Sequence, residues 1–235
     1  MISRLNFAAA AKTKHFAHFL KAAVIALALL VAAIHVVAVD FARMQAQLSQ
    51  RFGPVALGSF RDLQKLLQDS TDRTQVVQLR QVNDFFNRRV KFGEDQGIWG
   101  QSDYWATPME TLGRGAGDCE DFAIAKYFTL LLLNIPEEKM RLIYVQASLG
   151  GVNSSITQAH MVLAYYSTPE AEPLILDNLI NELQPASRRP DLLPVFSFNT
   201  QGLWQGASGA RGAGGPSSLS RWQELLRRVR AEGFD

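Results

Sequence analysis

The chain has 235 residues, 47% of them apolar, and a formal charge of +2, which is enough for one sizeable core with appendages and too little for two. Arg4, Lys12, Lys14 and Lys21 all precede the first acidic residue, Asp40, and setting those four aside leaves 20 basic groups against 22 acidic ones. A body with that slight acidic excess and no clustered lysines or arginines lacks the footprint a phosphate backbone requires, so nucleic acid is excluded as a partner.

In chain order, residues 22–39 are apolar except for His35 and follow the basic stretch. That is the layout of a secretory signal or an N-terminal membrane anchor, so residues 1–38 are expected to direct export. Val36-Val37-Ala38 offers small or modest side chains for cleavage after Ala38. An uncleaved anchor would leave the body on the same side of the membrane.

Residues 40–52 read as helix or linker. Residues 60–68 place Phe60, Leu63, Leu66 and Leu67 at helical spacing. Over 74–90, Val76, Leu79, Val82, Phe86 and Val90 form one apolar stripe, the mark of a core-facing helix. Residues 91–116 carry Trp99, Tyr104 and Trp105 among several glycines and are expected as a long irregular loop. A helix is predicted over 118–133, with acidic residues in its first turn and Asn134 and Pro136 ending it.

Segments 141–147, 160–166, 173–178 and 194–198 are short, β-rich and separated by turn residues, which predicts an antiparallel sheet. Residues 205–219 are mostly Gly, Ala and Ser and are expected as a flexible linker. Beyond it, Trp222, Leu225, Leu226 and Val229 make an amphipathic C-terminal helix over 220–235 that docks back or reaches a partner. The fold class is therefore α+β, helices packed on an antiparallel sheet, with residues 39–204 as the domain that does the work.

Three of the four histidines, His15, His18 and His35, lie in the leader, so the body holds one thiol, Cys119, and one imidazole, His160. One such pair cannot close a structural zinc shell. Cys119 enters its helix after Gly113, Gly115 and Gly117, where the helix dipole and free backbone N–H groups favour thiolate, and its own N–H is a candidate oxyanion donor. His160 opens one predicted strand and Asp177 closes another. With Val162 across from Ile175, His160 falls directly opposite Asp177, the Cβ atoms ~5 Å apart. The carboxylate then holds Nδ1–H and leaves Nε2 to take the cysteine proton.

Asp118, Glu120 and Asp121 crowd the cysteine and would raise its pKa unless a cation neutralised them. They suit calcium, a hard ion taking oxygen ligands. They equally suit the positive end of a helix dipole, which needs no metal.

Gly115-Ala116-Gly117-Asp118-Cys119-Glu120-Asp121-Phe122-Ala123, then Ala159-His160-Met161-Val162-Leu163 and Leu176-Asp177-Asn178-Leu179 resemble the bacterial transglutaminase-like cysteine proteases. Trp105-Ala106-Thr107-Pro108, Glu110-Thr111-Leu112 and residues 194–199 extend the resemblance over about residues 60–204. It implies a papain/transglutaminase-like fold with Cys119, His160 and Asp177 as catalytic triad, and a calcium ion bound with the help of Asp118 and Glu120. Asp121 is added here as a third ligand. It further implies a periplasmic endopeptidase that cuts a large surface adhesin near its N-terminus, at an Ala-Ala pair, and so disperses biofilm. A cyclic-di-GMP-responsive inner-membrane receptor would sequester it. On residues alone, amide transfer from the same acyl-enzyme and a non-catalytic calcium-responsive binding module also remain open.

Overall fold

The computed structural model describes residues 39–150, 154–207, 209, 211–212 and 214–234. The expected leader, residues 1–38, lies outside them. The body opens with α1 (Phe41–Ser70), capped by Asp40, whose side chain accepts the Arg43 N–H at 2.9 Å. Gly53, at φ 78° and ψ −168°, interrupts this helix, and Pro54 starts its second half. Glycine tolerates that positive φ, and proline's missing N–H costs nothing in a first turn. Met44, Leu48, Phe60 and Leu63 are buried along its length.

In α2 (Gln75–Arg89), Leu79, Val82 and Phe86 are buried while Val76 is 46% exposed, so the expected stripe begins one turn late. The stretch expected as an irregular loop is more ordered than its glycines suggest. It contains β1 (Lys91–Phe92), α3 (Asp95–Ile98), α4 (Pro108–Arg114) and β2 (Ala116–Gly117). β1 and β2 pair in parallel and tie its two ends together. The overlooked signal was Thr107-Pro108-Met109-Glu110: the Thr107 hydroxyl accepts the Glu110 N–H, Glu110 reaches back to the Thr107 N–H, and Pro108 occupies the first turn.

Helix α5 (Cys119–Leu132) is buried on nearly every side and forms the axis of the molecule. Beside it lies a six-stranded sheet in the order β6-β5-β4-β3-β7-β8. Its strands are β3 (Met140–Ser148), β4 (Thr157–Tyr165), β5 (Leu174–Leu176), β6 (Gln184–Pro185), β7 (Leu192–Phe198) and β8 (Leu203–Gln205), all antiparallel to their neighbours. β6 and β8 were not anticipated; both are too short to show an alternating pattern. One core joins α1, α2, α5 and the sheet residues Met161, Leu163, Tyr165, Leu176 and Phe198. A smaller one covers the other face through Ile143, Val145, Val162, Ala164 and Ile175.

The C-terminal helix α6 (Ser220–Glu232) docks back. Trp222 is fully buried against Tyr127, Phe128 and Phe198, and Leu225 and Val229 are buried beside it. The preceding segment, expected as a flexible linker, is seated on the sheet at Ala207, whose carbonyl accepts Arg141 Nη1 at 3.0 Å and Tyr166 Oη at 2.6 Å.

Candidate active site

Gly115 takes the left-handed conformation (φ 63°) that ends α4, its N–H returning to the Thr111 carbonyl. Gly117 is required for a different reason: a Cβ there would stand 2.7 Å from the Asp121 Cβ and 2.8 Å from Oδ2. The chain thus passes flush against Asp121 and delivers Cys119 to the first position of α5.

His160 and Asp177 are both buried, with Nε2 of the ring 2.8 Å from Oδ1 of the carboxylate. Two details of the predicted arrangement are corrected. In the observed register Leu163 pairs with Leu176 and Ala164 with Ile175, so Val162, not His160, stands opposite Asp177. The slip is two residues, which preserves the face on which each side chain stands, and the imidazole reaches the carboxylate diagonally. The ring is also turned over. Because the ionised carboxylate only accepts, Nε2 carries the proton, while Nδ1 is buried with no hydrogen-bond partner.

Asp177 is itself held from several sides. Oδ1 also accepts the Leu179 N–H at 3.0 Å, and Arg189 Nη2 lies 2.7 Å from Oδ2. Burial alone would raise this carboxyl, but His160, Leu179 and Arg189 outweigh it and hold it at about 2. Asn87 donates to the Asp177 carbonyl at 2.7 Å and fastens the loop to α2. Arg189 was not singled out in the sequence, since a lone arginine in a turn carries no periodic or motif signal.

Cys119 and His160 line one cavity of about 300 Å³, together with Asp95, Ser102, Asp103, Trp105, Asp118, Glu120, Tyr144, Ala159 and Met161. The thiol donates to Glu120 Oε2 at 3.0 Å. Burial, then the charge and hydrogen bond of Glu120 and the charge of Asp118, push its pKa up, against a smaller downward pull from the Met161 N–H. Burial and the acidic neighbours together thus favour the thiol over the thiolate and override the helix dipole.

Oxygens of Asp95, Asp118 and Glu120 lie within 4.8 Å of one another. Asp121 is not in this group. Its Oδ1 accepts the Ala106 N–H at 2.7 Å and its Oδ2 the Asp118 N–H at 3.4 Å, so it fastens the 105–107 segment to the head of α5. Asp95 takes the place expected of Asp121; 24 residues upstream of Cys119, it carried no spacing signal. Asp95 Oδ1 and Asp118 Oδ1 are buried without a partner. Burial first, then the neighbouring carboxylates, push Asp118 up to about 9. Three converging carboxylates with two orphaned oxygens fit a hard divalent cation.

The profile of the bacterial transglutaminase-like cysteine proteinases matches residues 61–192. The chain is a bacterial transglutaminase-like cysteine proteinase. Structures of Legionella pneumophila LapG are similar to this proteinase. The EGTA-treated form is 39% identical over 82% of this chain and 98% of its own, with a TM-score of 0.70. The calcium-bound form is 42% identical over 81% and 99%, with a TM-score of 0.67. No curated protein sequence matches the proteinase. Its α6 lies beyond the residues the family profile covers.

Proposed function

We propose that this proteinase is a calcium-dependent periplasmic endopeptidase in which Cys119 is the nucleophile, His160 the general base and Asp177 the group that orients it. The observation that carries the reading is the buried His160–Asp177 pair with Nδ1 left unpartnered beside the cavity it shares with the body's one thiol. Nδ1 takes the proton from Sγ, and the thiolate adds to the peptide carbonyl. The resulting imidazolium, balanced by Asp177, returns the proton to the departing amine. Water, deprotonated by the same nitrogen, then cleaves the thioester, releasing the acid and restoring the thiol. The Cys119 N–H, at the head of α5, is available to the developing oxyanion.

Asp95, Asp118 and Glu120 would hold calcium, an ion that supplies positive charge where three carboxylates otherwise oppose the thiolate. The calcium-bound relative supports that choice of metal. The basic and apolar composition of residues 1–38 supports export, and the resemblance of the chain supports the rest of the finer reading: cleavage near the N-terminus of a large surface adhesin at an Ala-Ala pair, biofilm dispersal, and sequestration by a cyclic-di-GMP-responsive inner-membrane receptor.

Incubating the protein with an N-terminal adhesin fragment, with and without EGTA, tests this. The expected result is two fragments whose masses sum to the parent plus one water, lost in EGTA, restored by calcium rather than magnesium, and absent in Cys119→Ala. Cleavage by Cys119→Ala would refute the nucleophile, undiminished cleavage in EGTA the metal, and an amine-bearing product would convert the reading to transfer.

A further inference from the structure

We propose that the exposed end of the sheet beside the cavity, the row Leu193, Gln146 and Ala159, is where the polypeptide substrate lays an extended apolar segment. The proposal rests on the proteolytic reading of Cys119 and names what that site selects. The cavity of about 300 Å³ sits at the bottom of the range for a small-ligand pocket, too small for the residues that flank a scissile bond. The rest of the substrate has to leave over a rim.

One rim is closed and charged. Arg221 Nη2 pairs with Asp103 Oδ2 at 2.8 Å, and Arg228 Nη2 donates to the Trp105 carbonyl at 2.5 Å, so α6 pins residues 103–105 there. The rim along the sheet is open. Gln146 pairs with Leu193 on one side and Ala159 on the other, so the three form one row across β7, β3 and β4. The next row holds Tyr144 and Met161 on the same face, and both line the cavity with Ala159. From the Tyr144–Met161 wall of the cavity outward the sheet surface is therefore uncharged, with the neutral amide of Gln146 between the apolar Ala159 and Leu193.

Leu193 is 64% exposed and Val195, at the bulge beside it, 49%. Strand β8 covers β7 only from Phe196 to Phe198, with one further bond from the Gly206 N–H to the Val195 carbonyl. Among the described residues no strand pairs with the outer edge at Leu193, and the row contains no charged group. A chain lying there buries apolar side chains against Leu193 and finds no partner for acidic ones.

The test labels Cys119 in the calcium-loaded full chain with peptidyl chloromethyl ketones bearing either leucine or aspartate residues, and with iodoacetamide. Labelling needs no turnover, so a protein that fails to hydrolyse any substrate still reports on recognition. The leucine reagent should react faster than the aspartate one. Leu193→Asp should slow the leucine reagent by about tenfold, the scale one apolar contact supports, with iodoacetamide unchanged, and Leu193→Met should restore the rate. Equal rates for the two peptide reagents in the parent protein, or a leucine reagent indifferent to Leu193→Asp, would overturn the proposal.

Discussion

Cys119 shares the head of α5 with groups whose proton affinities depend on one another. Asp118 holds its proton more tightly in the folded protein than in the unfolded chain, its pKa rising from 3.8 to about 9. The folded state therefore binds the extra proton across that window, and this group's contribution to stability falls as pH rises through it. On the proposed ligand set, calcium would have to displace the same proton. Its affinity should climb with pH, by roughly tenfold per unit while one proton has to leave; titration calorimetry at pH 6, 7 and 8 measures this, and a flat profile would remove Asp118 from the ligand set. Asp177 has the opposite sign. Held at about 2, it contributes stability that is complete above the ordinary carboxylate pKa and lost as pH falls through the folded value. Arg189→Met leaves that buried carboxylate without its cation, a class of change that costs ~3–5 kcal/mol. The expected result is a lower melting temperature and an acid limb of the pH–rate profile moved upward, with Arg189→Lys restoring only part of each.

At the scale of elements, the C-terminal helix reaches the site without entering it. Arg228 donates to the Tyr104 hydroxyl at 2.9 Å and to the Trp105 carbonyl, and it pairs with Glu110, which is also paired with Arg51 of α1. The Tyr104 N–H in turn donates to Asp95 Oδ2. A contact on α6 thus positions a member of the carboxylate cluster. Arg228→Met should weaken calcium binding several-fold by calorimetry, in a protein that still folds on Trp222; unchanged affinity would separate α6 from the site. Trp222→Ala removes a side chain with no exposed surface and should cost ~3–5 kcal/mol in denaturant unfolding. A helix that served only to reach a partner would show no such loss. The ordered segment within 91–116 belongs to this scale too. Its capping box at Thr107 and Glu110 was legible in the sequence, whereas α3 and the β1–β2 pairing were not, being set by contacts across the chain.

Over the whole molecule, the two ends of the body close on each other: the Asp40 N–H donates to the Gly233 carbonyl at 3.0 Å, and Val39 bridges Phe234. A chain beginning at Val39 should fold and melt as one unit. One beginning at Gln45 loses the bridge, the helix cap and Met44, and should melt several degrees lower by calorimetry. The export reading of residues 1–38 follows from their composition alone.

The amino-acid sequence by itself determined the fold class, the central helix, the main strands and which sulfur and imidazole are available, because periodicity is local and the body has one of each. It left to the tertiary structure everything that depends on how separate segments meet. The two-residue slip between β4 and β5 depends on how the strands and the loop held by Asn87 pack together. The ring nitrogen facing Asp177 follows from the direction of approach. Asp121 is committed to backbone N–H groups, while Asp95 arrives from the start of α3, in a segment that β1–β2 pairing and α6 hold in place. Such choices are settled by long-range contacts, and no short stretch of sequence contains both partners.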